Sequence, residues 1–112
     1  MLFSTLPTDA PHLEVETSDD GKVTRITVRG EADISNVELL IAAFDSVNLD
    51  GTPAVHLYLA ELTFCDVRTL CHVLEFARTV KQNGYDIAIH DSTSTVQKLA
   101  RLLGVDGEVA FE

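Results

Sequence analysis

The chain has 112 residues, 46% of them hydrophobic, enough to bury a core as one domain. Its 18 acidic and 8 basic side chains leave a formal net charge of −10. That balance argues against nucleic acid as the main partner, since phosphate binding needs clustered Lys and Arg, and against an anionic membrane surface.

Residues 1–11 hold two prolines and little periodicity, and they are expected to form a loose arm ahead of a domain over 12–112. Leu13, Val15 and Thr17 alternate with Glu14 and Glu16, as in a half-buried strand. Asp19-Asp20-Gly21 signals a turn, and Val23–Val28 alternates again, so the two runs predict an antiparallel hairpin. Gly30-Glu31-Ala32-Asp33 is expected to break the strand. Ser35 with Glu38 has the spacing of a capping box, and Val37, Leu40, Ile41, Phe44 and Val47 continue it as a helix. Asn48–Pro53 reads as a polar turn around Gly51.

Val55–Leu59 is almost continuously apolar, the pattern of a strand covered on both faces. After a turn, Val67, Leu70, Cys71, Val73, Leu74, Phe76, Ala77 and Val80 make the stripe of a long helix that stops at Asn83-Gly84. Asp66 sits at its N-cap, with Cys65 and Leu70 at the two positions of a hydrophobic staple. Tyr85–Ile89 is a short apolar strand. Asp91–Ser94 offers caps for a helix carrying Val96, Leu99, Ala100 and Leu103 and ended by Gly104, and Val109–Phe111 suggests a last strand. Strands alternating with helices in the later part imply parallel pairing through right-handed crossovers.

No apolar run approaches the roughly 18 residues of a membrane-spanning helix. Met1–Leu6 is too short for a signal peptide, and no basic residue precedes it. A cytoplasmic protein without membrane insertion is expected. Cys65 and Cys71 fall at opposite ends of the first helical turns, at a Cα separation of roughly 8–9 Å from the helical rise, too far for a bridge; two reduced thiols are expected. His12, His56, His72 and His90 show no metal-site spacing, and no Cys-x-x-Cys, phosphate-binding glycine loop or G-x-S-x-G occurs. Neither a metal nor a cofactor is implied. Asp33 and Asp66 would approach each other if both helix starts lie at one sheet edge, but each is explained as a cap or turn residue, so an enzyme is not expected. Between Gly30 and Val67 there is no Lys or Arg, against seven acidic residues. That stretch is either a solvated face or an acidic patch for a basic partner.

Three stretches resemble one family in the right order. Val55, Leu57, Leu59, Leu62, Phe64, Asp66 and Leu70 fit the strand-to-helix signature of STAS domains, the fold of bacterial anti-sigma factor antagonists. Gly30-Glu31-Ala32-Asp33 resembles the family's G-E-L-D turn, and Ser94–Leu99 followed by Leu103-Gly104-Val105 its C-terminal helix. The resemblance implies an α/β fold: a single STAS-type domain with a mixed four- to five-stranded sheet, an N-terminal antiparallel hairpin, parallel later strands and three to four helices.

It also implies a protein-binding module that sequesters an anti-sigma factor, in some members a serine kinase, and so releases a sigma factor. Asp33, Asp66, Val67, Arg68 and Thr69 fall on the partner-binding positions. The sequence departs from the family at the switch. The residue after the turn aspartate, a phosphorylated serine in switched members, is Val67, and the next is Arg68. Thr69 is the nearest hydroxyl, but it points some 200° around the helix from Val67, which makes it a poor substitute acceptor. A second reading is a STAS subunit with a structural role in a lipid-transport or stress-signalling assembly. Self-association fits either reading.

Overall fold

The computed structural model describes residues 12–48, 53–107 and 109–112. The expected N-terminal arm and the centre of the Asn48–Pro53 turn lie outside these residues. Strands β1 (Leu13–Asp19) and β2 (Val23–Ala32) pair antiparallel, from Leu13 opposite Gly30 to Asp19 opposite Thr24. Their turn fixes this register. The Asp20 carboxylate accepts the amides of Lys22 and Val23, both at 2.9 Å, and Gly21 takes a left-handed φ of 87°. Those two amides, followed by the Arg25 guanidinium, hold the Asp20 carboxyl far below the usual carboxylate range.

Beyond the hairpin the elements are α1 (Val37–Asp45), β3 (Ala54–Tyr58), β4 (Leu62–Cys65), α2 (Val67–Gln82), β5 (Asp86–His90), α3 (Ser94–Leu103) and β6 (Ala110–Phe111). The sheet order is β1-β2-β3-β5-β6, with β3, β5 and β6 joined in parallel and β4 beside the far end of β2. The antiparallel hairpin followed by parallel strands is the expected mixed sheet. The described residues form six strands and three helices, one strand more than expected.

The extra strand is β4, and it changes the reading of Gly30-Glu31-Ala32. These residues do not end β2; they continue it, opposite Leu62, Phe64 and Cys65. Gly30 makes this possible with φ 102° and a register shift before Glu31. A Cβ at Gly30 would fall inside contact distance of the His12 carbonyl oxygen, which accepts the Glu31 amide at 2.8 Å. Four residues of half-exposed strand leave too little alternation to read in advance.

The Ser35–Glu38 capping box does not form. Asn36 is the N-cap of α1, without a side-chain cap, because the Asn36 amide group is turned back to the Glu31 carbonyl at 2.9 Å. The Ser35 hydroxyl and amide both donate to Asp33 instead. Helix α1 also stops at Asp45, short of Val47. Helix α2 begins and ends where its pattern predicts, with Asn83 as C-cap. Helix α3 is capped by the Thr93 hydroxyl at the Val96 amide and ended by Gly104 at φ 76°.

One core holds these parts together. Ile26, Val28, Val55, Leu57, Ile87 and Ile89 from the sheet share a buried cluster with Leu40 and Phe44 of α1, Leu70, Val73, Leu74, Ala77 and Val80 of α2, and Val96 and Ala100 of α3. Phe44 also stacks on Phe76 at 4.1 Å, which joins α1 to α2. The other sheet face is not covered in the way a continuous apolar strand suggests. In β3 only Val55 and Leu57 are buried, while His56 and Tyr58 are half-buried. His56 Nδ1 lies 2.6 Å from His90 Nε2, and Tyr58 stacks on His90 at 4.4 Å. β3 therefore alternates, with the His56 and Tyr58 rings on the face away from the core.

Candidate protein-docking site

The start of α2 is built by Asp66. It adopts an extended conformation, and its carboxylate accepts the Thr69 amide at 2.8 Å. The hydroxyl and amide of Thr69 lower the Asp66 pKa, helped by the Ile34 amide and the Arg68 charge. The Asp66 amide in turn donates to the Ala32 carbonyl at 3.2 Å. These bonds seat the β2–α1 turn against the helix start, so that both helix beginnings lie at one sheet edge. Within that turn Asp33 shapes the chain: its carboxylate binds Ser35, and its amide donates to the Asn36 side chain.

The three residues after the cap point in different directions, as successive helical positions about 100° apart must. Val67 is 62% exposed and Arg68 is also exposed. Thr69 is fully buried, and its Oγ1 lies beside the Asp66 carboxylate without an aligned hydrogen bond among the described residues.

Sequence reasoning missed three exposed apolar side chains on the neighbouring elements. Ile34 in the β2–α1 turn, Leu39 on α1 and Phe64 on β4 are all more than half exposed. They sit on the elements that converge on the α2 start. A signal for Leu39 existed, since it falls off the Val37–Leu40–Ile41–Phe44 stripe. Ile34 lay in a polar turn and Phe64 in an unread strand. Phe64 also borders a groove of about 210 Å³ whose apolar floor includes Leu59, Leu62, Leu70 and Val96. Asp91 is the charged group on its wall and takes a left-handed φ of 62°.

Cys65 and Leu70 line the same groove, in keeping with the staple. Burial, and then the Asp66 charge, push the Cys65 thiol up to about 11, so it is a poor nucleophile. Both cysteines are free. Among the described residues no group of three or more His, Cys, Asp or Glu side chains is placed to hold a metal ion, and no helix is long and apolar enough to cross a membrane.

A family model described as "Mlab, STAS domain" matches residues 15–111. The chain belongs to the STAS-domain family. Solved structures share the fold of this STAS domain. An anti-sigma factor antagonist from Mycobacterium paratuberculosis is 21% identical, with a TM-score of 0.67 over 92% of this chain and 86% of its own. The phosphorylated form of the Bacillus cell fate determinant SpoIIAA is 18% identical, with the same TM-score over 90% of this chain and 91% of its own. An anti-sigma factor antagonist STAS domain from Rhodobacter sphaeroides is 17% identical, with a TM-score of 0.57 over 73% of this chain and 87% of its own. No curated protein matches.

Proposed function

We propose that this STAS domain is a binding module of the anti-sigma factor antagonist kind. It docks an anti-sigma factor in the cytoplasm through the start of α2, which frees a sigma factor, and its switch position cannot be phosphorylated. It acts by binding and not by catalysis. The observation that carries the reading is Val67, an exposed valine at the first position of α2, with Ile34, Leu39 and Phe64 exposed on the adjoining elements. Apolar side chains gathered on one rigid edge are the composition of an interface centre. Asp33 and Asp66 set the shape of that edge, Arg68 adds a cation for selectivity, and Thr69 fixes the turn from beneath. A valine has no hydroxyl to accept phosphate, and the Thr69 hydroxyl is buried, so a kinase would have to open the first turn of α2 to reach it.

The second reading is a STAS subunit of a lipid-transport or stress-signalling assembly, which membership of the STAS-domain family fits as well. Both readings use the same surface, and the identity of the partner separates them.

The test is purification of the tagged native protein with its partner, followed by titration of Val67→Glu and Val67→Ser. A carboxylate buried at the interface without a counter-charge should weaken binding by about a hundredfold or more, while the domain melts normally. Val67→Ser should bind nearly as well as the native chain. A partner that is an ATPase or permease subunit would replace the first reading with the second. Normal binding by a well-folded Val67→Glu would remove the α2 start as the docking surface.

A further inference from the structure

We infer that the α2 edge selects a protein segment with an apolar ridge flanked by Lys or Arg. The inference rests on the docking reading above and specifies its partner. Ile34 in the β2–α1 turn, Leu39 on α1, Phe64 on β4 and Val67 at the α2 start are the exposed apolar side chains on the elements of this edge. Its rim is acidic. Glu31 on β2, Asp33 in the turn and Glu38 in the first turn of α1 belong to the stretch that contains no Lys or Arg. None of the three is in an ion pair among the described residues, whereas Glu16 and Asp86 on the sheet and Asp20 and Glu61 in its turns all are.

The groove beside Phe64 extends the same pattern. Leu59, Leu62, Leu70 and Val96 form an apolar floor, Thr93 and Thr95 add hydroxyls, and Asp91 is the charged group on the wall. Such a groove suits a long side chain with an aliphatic stem and a cationic end. The stem covers the leucines while the guanidinium or ammonium meets Asp91. An acidic partner would leave several carboxylates facing its own like charges, which gives discrimination as well as attraction. Arg68, the exposed cation at the α2 start, is one positive charge against this set.

The test uses three synthetic amphipathic helical peptides and methyl- and amide-resolved NMR titration of the full chain. One peptide carries a leucine face flanked by arginines, the second the same face flanked by glutamates. The third has the composition of the first in an order that destroys the face. The arginine-flanked peptide should shift the signals of Ile34, Leu39, Val67 and Leu70, with an affinity that falls about tenfold from about 50 to about 300 mM salt. Glu31→Lys with Glu38→Lys should reverse the preference toward the glutamate-flanked peptide, and Glu31→Gln with Glu38→Gln should weaken it without reversal, thermal melts confirming the fold.

Equal binding of the first two peptides at this edge would overturn the inference and leave the docking surface standing. Equal shifts from the scrambled peptide would reduce the effect to net charge and overturn it too. Shifts confined to other surfaces, or none with any peptide, would overturn both the inference and the docking reading.

Discussion

The Asp66 carboxylate accepts the Thr69 amide at 2.8 Å, and the Val67 side chain between them turns to solvent. The bond that holds the helix start is thus separate from the exposed side chain proposed to meet a partner. The Asp66 pKa is lowered on folding, so its contribution is present above the unfolded value of 3.8 and is lost as pH falls through the folded value. Asp66→Asn keeps an N-cap acceptor without the charge. The urea midpoint of the native chain should therefore fall more steeply with acid than that of Asp66→Asn, the two being close at neutral pH. Parallel pH profiles would mean that the carboxylate does not cap α2 in its charged form.

Gly30→Ala should destabilise the domain by at least about 2 kcal/mol, from a strained positive φ together with a backbone clash. The damage should be local at first, because the clash is with the His12 carbonyl that holds the Glu31 amide. Denaturant unfolding gives the size, and hydrogen exchange at Glu31 gives the place. Unchanged protection there would show that the start of β1 yields without cost.

Thr24 is 3% exposed on β2, and its hydroxyl has no hydrogen-bond partner among the described residues. Thr24→Val replaces a desolvated hydroxyl with a methyl of similar shape. It should stabilise by about 0.5–1 kcal/mol, read as a higher urea midpoint with unchanged slope. A loss of stability would reveal a bound water at that site.

Incubation with ATP and candidate kinase-type anti-sigma factors should leave the α2 start unmodified. Mass spectrometry maps the sites. Stoichiometric phosphate on Thr69 would show that the first turn of α2 opens readily, and phosphate on exposed Thr63 or Ser94 would point to a switch elsewhere. Val67→Ser restores a hydroxyl at an exposed position and should become a substrate if Arg68 does not obstruct the kinase.

The signals that were legible in the sequence are those confined to a few neighbouring residues. The turn at Asp20, the cap at Asp66 and the stops at Gly84 and Gly104 are each determined within one turn of chain, and the helical stripes of α2 and α3 are long enough to read. What was missed depends on partners distant in the chain. β4 exists because the end of β2 is there to pair with it. The Ser35–Glu38 spacing fits a capping box, yet Asp33 and Glu31 draw Ser35 and Asn36 away. At the candidate docking edge, the binding role of Asp66, Val67, Arg68 and Thr69 is what the resemblance to the family implies. The exposed Ile34, Leu39 and Phe64 needed the fold, because exposure of an apolar side chain is a property of its surroundings.

The alternation along β3 has an outcome for sequence drift. The large core side chains lie on one side of the sheet, so tolerance to substitution should switch at every residue of β3, with Val55 and Leu57 held to a narrow set of sizes and His56 and Tyr58 freer to vary, whereas β5 is buried at Ile87, Ala88 and Ile89 in a row and should tolerate little until His90. Related chains should therefore diverge faster on the face of β3 that carries His56 and Tyr58 than on the face that carries Val55 and Leu57. The domain can acquire new surface chemistry on that side without disturbing the core on the other.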